Sequence, residues 1–321
     1  MRKMFSLAIY FIIQISFIPF GIIGSMLIYY KQMFVSKKLG VSSTAIEIIN
    51  GRWTMDKFGL RNDFATVQLF KQLPNTTNLG QWMALFPLYL LSKLANQNLI
   101  YPTFKEAPNA RLANLVTSRT IFFDRILKRS FQTSKQFVVL GAGFDTRCYG
   151  EQIPEDCALY ELDKKNTQDL KRVYLKKAGI NTSNVNFVSV DFTTENWKEK
   201  LIAQGYDETK TTTFLWEGVS LYLSEKDVRK TLLEIQSIAE KGSVVVADFY
   251  STEFVKGKLV PGKKQLKMTG ENLGFGMDFQ DNSSKKLDSL ATESSMRLGK
   301  VYFMGSNTKK GTWMAVSELI V

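Results

Sequence analysis

The sequence predicts an α/β fold in which a mostly parallel sheet carries an antiparallel hairpin at its C-terminal end, preceded by an apolar membrane helix and a helical region. Three observations predict it. Short β-rich runs alternate with helices from Gln136 onward, the pattern of a doubly wound sheet. Glycine or an acidic residue closes four of those runs, where ligands of such sheets bind. The stretch Met4 to Tyr30 carries no charge at all.

That stretch comes first. Arg2 and Lys3 precede it, and Lys31, Lys37 and Lys38 follow. As a helix it would reach roughly 40 Å at about 1.5 Å per residue, more than the hydrocarbon thickness of about 30 Å. Pro19, Gly21 and Gly24 are tolerated in membrane helices, and Tyr29 and Tyr30 stand where an interfacial aromatic belt belongs. A signal peptide's apolar region runs only about 7–15 residues, and no small-x-small cleavage site follows. Residues 4–30 are therefore expected to form an uncleaved single-pass anchor. Basic residues at both ends leave its orientation open.

Residues 31–129 are expected to form a helical lid region. Phe64, Val67, Leu69 and Phe70 recur at helical spacing. The apolar segment Trp82 to Leu94, which contains Pro87, is too short to span a bilayer. It is expected as a buried core helix or an interfacial segment. Arg111 to Lys128 reads as one more helix.

Residues 130–321 hold the α/β unit. Strands are expected at Phe137 to Leu140, Ala158 to Leu162, Val185 to Val190, Thr212 to Trp216 and Ser243 to Phe249, with an amphipathic helix over Asp227 to Glu240. Lys256 to Asn282 is a Gly- and Lys-rich excursion. Lys300 to Met304 and Trp313 to Val321, joined by the turn Asn307–Gly311, suggest an edge hairpin.

Composition excludes several chemistries. The chain has 321 residues and no histidine, which removes Ser-His-Asp hydrolysis, His-paired cysteine catalysis and His-containing zinc sites. No metal is expected. Cys148 and Cys157 are too few for a disulfide framework. The formal charge of +12 is scattered, without a basic block or zinc-finger motif, so no nucleic-acid partner is expected.

The strongest signal is Val138-Val-Leu-Gly141-Ala-Gly143-Phe-Asp145-Thr-Arg147, a strand running into two glycines. Backbone free of side chains there lets a cofactor lie against the turn. Asp163 follows Gly143 by twenty residues, where a carboxylate accepts ribose hydroxyls or, on spacing alone, caps a helix. Asp191 and Phe192 follow the third run and suit an adenine; Glu217 ends the fourth. A dinucleotide site also uses Gly-x-Gly and an acid, but its third glycine is missing after Gly143. S-adenosyl-L-methionine is therefore favoured over NAD.

Taken together, Gly-Ala-Gly-Phe-Asp-Thr-Arg, Glu-Leu-Asp, Val-Asp-Phe and Trp-Glu-Gly-Val-Ser-Leu-Tyr-Leu resemble the leucine carboxyl methyltransferase family, a broad group that includes bacterial methyltransferases and polyketide O-methyltransferases. The resemblance covers about Ser118 to Tyr250, and more loosely Gly270 to Gly276. It implies a class I methyltransferase, Rossmann-like fold. It also implies that Arg119 pairs with the cofactor carboxylate, where the alternative is an exposed helix charge. By the same resemblance Gly141 and Gly143 line the methionine moiety and Asp163 holds the ribose. Asp191 and Phe192 would hold the adenine, Glu217 would close the site, and Tyr222 would face the substrate or pack in the core. No catalytic residue is assigned. Lys164 and Lys165 depart from the family pattern, and Ser42 to Asn98 matches it poorly, so the acceptor is not named.

The methyl group of S-adenosylmethionine is already activated, so the protein mainly aligns the acceptor and excludes water. Without histidine, a carboxylate or acidic hydroxyl on a small molecule or protein C-terminus is the expected acceptor, because an ionised carboxylate needs no base. The catalytic unit is expected to face the cytosol. The alternatives are a non-catalytic membrane-anchored binding protein of this fold and an NAD-dependent oxidoreductase.

Overall fold

The computed structural model describes residues 2–103, 106–192, 194–257, 273–279 and 284–321. Most of the excursion from Lys256 to Asn282 and the first part of the Gly270 to Gly276 segment lie outside them.

Among the described residues seven strands form one sheet: β1 (Gln136–Leu140), β2 (Ala158–Asp163), β3 (Val185–Ser189), β4 (Thr212–Trp216), β5 (Val244–Tyr250), β6 (Arg297–Met304) and β7 (Met314–Ile320), in the order β3-β2-β1-β4-β5-β7-β6. The first five pair in parallel. β7 runs antiparallel between β5 and β6, from Val244↔Ile320 to Tyr250↔Met314. The expected hairpin is there, with a bulge between Leu298 and Val301.

Parallel strands covered on both faces read as near-continuous apolar runs. β1 and β4, at the centre, are buried at every position. Chain order reverses between β1 and β4, so the loops leaving them diverge to opposite faces and open a crevice at the strands' carboxyl ends. Helices α5 (Leu115–Ser130), α6 (Lys165–Lys177), α7 (Trp197–Ala203), α8 (Glu225–Gln236) and α9 (Lys285–Glu293) accompany the sheet. α8 begins at a Ser224 cap, whose hydroxyl accepts from the Asp227 amide, three residues before the start expected from apolar periodicity.

Ahead of the sheet stand α1 (Arg2–Tyr30), α2 (Ser43–Lys57), α3 (Phe64–Gln72) and α4 (Asn78–Ala95). α1 continues through one π-helical turn and four α-helical residues to Leu39 and stops at Gly40, whose φ of 66° supplies the left-handed cap. Its length and mean hydropathy of 2.1 qualify it as a candidate membrane span. α4 is partly buried against the core and partly exposed. It contains Pro87, buries Gly80, Gln81, Leu91 and Ala95, and leaves Leu79 and Phe86 exposed. α1 lies antiparallel along it. Gly24 meets Gly80 backbone to backbone, and Phe17 stacks on Phe86 at 5.3 Å. Lys31 Nζ donates to the Pro74 carbonyl and Arg2 Nε to the Leu94 carbonyl. On another side, Trp82 meets Trp53 and Tyr89 meets Phe58, both of the latter from α2 and its C-cap.

Candidate active site

The crevice is a cavity of about 760 Å³ bounded by the turn after β1, the ends of β2 and β4, and the start of α2. Arg119, Gly141, Gly143, Asp163, Glu217 and Tyr222 all line it. Gly141 and Gly143 have φ of 70° and 45°, the left-handed region that side chains disfavour. A Cβ on Gly141 would come within 2.6 Å of Val219 Cγ2. This residue is therefore fixed by packing as well as by conformation.

Asp163 does not cap α6. That position falls to Lys164, which makes no side-chain cap. Instead its Oδ2 accepts from the Gly143 amide at 2.5 Å and its Oδ1 from the Lys164 amide at 2.6 Å. Each oxygen keeps lone-pair capacity for a further donor. Burial pushes the carboxyl above its ordinary range, and the two amides pull against that shift.

Arg119 is not an exposed helix charge. It is 5% exposed, and its Nε donates to Glu217 Oε1 at 3.1 Å. Its Nη1 donates to Asp248 Oδ2 at 3.3 Å and to the Tyr250 hydroxyl at 2.6 Å. Nη2 makes no hydrogen bond among the described residues, and the side chain stands in the cavity wall.

Glu217 is the centre of a buried ionic network. Besides Arg119 it receives Arg52 Nη2 at 3.0 Å and Arg147 Nη1 at 2.6 Å. Arg52 also donates to Asp145 at 2.8 Å. Arg147 donates to Asp145 at 2.5 Å and to Asp124 at 2.9 Å, and Arg61 donates to Asp124 at 2.7 Å. Burial alone would raise the Glu217 carboxyl, but Arg147, Arg52 and Arg119 together hold it below its ordinary value. Asp145 and Asp124 are lowered in the same way, against burial. Asp248, which accepts from the Gly218 amide at 2.8 Å, is instead pushed up to about 6 by burial, opposed by Arg119 and that amide. Burial also drives the Tyr250 hydroxyl well above its ordinary value.

Asp191 and Phe192 stand outside the cavity wall. They follow β3 at the same edge of the sheet. Asp191 pairs with Lys164 at 3.3 Å, its amide donates to Glu195, and Phe192 packs toward Trp197 at 6.2 Å. Tyr222 bonds Thr44 of α2 through its hydroxyl at 3.0 Å, so it faces the cavity. Sequence reasoning missed Arg52, Asp124, Arg147, Asp248 and Tyr250. Arg147 lay inside the Gly-Ala-Gly-Phe-Asp-Thr-Arg motif and Asp248 inside a strand, where a charge amid apolar neighbours was the available signal.

The donor set suits S-adenosylmethionine: a side-chain-free turn, a carboxylate with open lone pairs, and a guanidinium edge with two N–H groups to spare. Cys148 and Cys157 are free and buried, and no cluster of metal-ligating side chains exists among the described residues.

This is an α/β fold of the methyltransferase kind. A solved structure titled "putative methyltransferase" from Thermobifida fusca shares it at a TM-score of 0.50 and 13% identity, covering 79% of this chain and 91% of that one. Residues 81–236 match the family model described as leucine carboxyl methyltransferase. A Mycobacterium marinum protein named "Putative S-adenosyl-L-methionine-dependent methyltransferase" is 32% identical over 143 residues, 44% of this chain and 45% of that protein. A Bacillus subtilis protein of the same name, YktD, is 33% identical over 118 residues, 36% of this chain and 38% of its own length. The chain thus spans less than half the length of these curated relatives.

Proposed function

We propose that the chain is an S-adenosyl-L-methionine-dependent methyltransferase acting on oxygen, with an apolar carboxylic acid or acidic hydroxyl compound as acceptor. The observation that carries this reading is the convergence of the Gly141–Gly143 turn, Asp163, Glu217 and the free edge of Arg119 on one cavity. Asp163 would hold the ribose hydroxyls, the glycine turn would lie against the methionine chain, and Arg119 Nη2 would take its carboxylate. Asp191 and Phe192, one strand further along the same edge, would bound the adenine end. Bound there, the cofactor supplies a methyl group already activated by its sulfonium charge.

The residues themselves bind, orient and exclude water. Asp145 and Glu217 are held ionised by arginines and make poor bases, and Asp163 is committed to two backbone amides and, in this reading, to the ribose. Among the described residues the remaining wall carboxylate is Glu47. An acceptor already ionised at neutral pH fits such a wall better than one that must lose a proton. Leu112, Leu115, Phe254 and Leu273 supply apolar surface, which favours an acceptor with an apolar body. The apolar helix α1 supports attachment to a membrane, with the catalytic unit on the cytosolic side where the cofactor is available.

The test uses purified full-length protein with methyl-labelled S-adenosylmethionine. Calorimetric binding of the cofactor, together with base-labile label on carboxylic acids, supports the reading. Label found only on nitrogen or nucleic acid rejects oxygen as the acceptor atom. Absence of cofactor binding rejects the enzyme and leaves a binding protein of this fold.

A further inference from the structure

The outward face of α1 is apolar from end to end. Phe5, Ile12, Ile15, Ile22 and Met26 are each more than half exposed, while Ser6 and Gly24 on the opposite face are buried. Most of the large apolar side chains exposed among the described residues belong to this one helix and its extension. A face of that size needs a cover.

Two facts say what covers it and how. The first is charge. No acidic residue occurs before Glu47, whereas Arg2, Lys3, Lys31, Lys37 and Lys38 lie at the two ends of the apolar stretch. An apolar strip with a basic collar complements an anionic lipid surface.

The second is packing. α1 lies along α4, fastened near both ends by Lys31 to Pro74 and Arg2 to Leu94, and between them by the Gly24–Gly80 contact. α4 in turn is held against α2 by Trp53–Trp82 and Phe58–Tyr89. α2 is part of the cavity wall and carries Arg52, Asp56 and Lys57. For α1 to cross a bilayer in this arrangement, α4 and the charged α2 would have to enter the hydrocarbon beside it, or the α1–α4 contact would have to open. Charges at the bilayer centre cost several kcal/mol each.

We infer that α1 lies in the plane of an anionic lipid bilayer, outer face down, with α4 bridging it to the catalytic body. Gln32 and Met33, just past the end of α1, line the cavity. Docking in this pose sets that wall beside the lipid surface, where an amphiphilic acceptor would be met.

The experiment reads depth and topology and does not depend on methyl transfer. Full-length Phe5→Cys, Ile15→Cys and Met26→Cys variants, each altering an exposed position, are labelled with nitrobenzoxadiazole. Native Cys148 and Cys157 are buried, and burial pushes the Cys157 thiol up to about 12, so they stay unlabelled. The proteins are added to preformed vesicles of phosphatidylcholine and phosphatidylglycerol. The expected result is that all three labels are quenched to similar extents by lipids brominated near the glycerol end, and that external dithionite bleaches all three. Deep quenching confined to Ile15, with the Phe5 label shielded from dithionite, would mean that α1 crosses and would overturn the inference. Failure to bind vesicles, with dimers in solution, would overturn it too and assign the face to a second copy of the chain.

Discussion

Glu217 receives three guanidinium groups on two oxygens, Arg119 on Oε1 and both Arg52 and Arg147 on Oε2. Its replacement by Gln keeps the shape and removes the charge, so three buried cations lose a shared anion. Breaking a buried pair this way costs about 3–5 kcal/mol. Urea unfolding of Glu217→Gln should show a loss of that order, and a loss below about 1 kcal/mol would mean the network does not hold α2 to the sheet. Asp163 carries a different prediction. Removing a charged acceptor costs about 1.5–3 kcal/mol in binding, so Asp163→Ala should weaken S-adenosylmethionine in calorimetry by roughly ten- to a hundredfold, with Asp163→Asn between it and the parent. Equal affinity in all three would remove Asp163 from the site. Asp248 provides a pH signature. Its folded value of about 6 stands above the ordinary 3.8, so between those pH values the folded chain keeps a proton that the unfolded chain has lost. Stability therefore falls as pH rises through that window, by on the order of 3 kcal/mol. Asp248→Asn lacks this loss. Its unfolding free energy relative to the parent should improve by about that amount from pH 4 to pH 7, because carboxyls that share no partner with Asp248, such as Asp124 and Asp145, act alike in both proteins and cancel. A constant difference across the range would refute it.

Elements differ in how much of themselves they write into the sequence. The five parallel strands were legible because strands covered on both faces read as near-continuous apolar runs, and their observed ends fall within a residue of those read from apolar runs. The glycine turn was legible because positive φ and close approach leave little choice of residue. Arg52 was not. Its partners Asp145 and Glu217 lie 93 and 165 residues away, and no local pattern encodes such a pairing. α4 shows the same limit at the level of a helix. Its length excluded a span, but hydropathy cannot say that one side meets α1 and another α2. The Gly24–Gly80 contact makes this testable. A Cβ on Gly24 would sit 2.6 Å from the Gly80 carbonyl oxygen, while Gly21 has open space. Gly24→Leu should lose about 1–3 kcal/mol of stability by overpacking and expose α1 to limited proteolysis, whereas Gly21→Leu should match the parent. Equal behaviour of the two variants would show that α1 is not fastened to α4.

At the scale of the whole molecule, the charge of +12 acts through where it sits. Five basic residues and no acidic one occur in the first 46 positions, at the two ends of the apolar helix, so the membrane attachment inferred above would have an ionic part and an apolar part. Each Lys or Arg near an anionic surface contributes about 1 kcal/mol, falling off within the screening length. That length shrinks from about 10 Å at 0.1 M salt to about 3 Å at 1 M. Binding of the full chain to phosphatidylglycerol-containing vesicles should therefore weaken by up to about three orders of magnitude over that range. Binding to pure phosphatidylcholine vesicles, driven by the apolar face of α1 alone, should be weaker at low salt and nearly indifferent to the change. The two curves should converge at high salt on one residual affinity set by buried apolar area. Vesicle flotation across a salt series measures both. Curves that stay parallel would mean the basic collar does not touch the lipid, and a collapse to zero for both lipids would mean the apolar face is covered by protein instead.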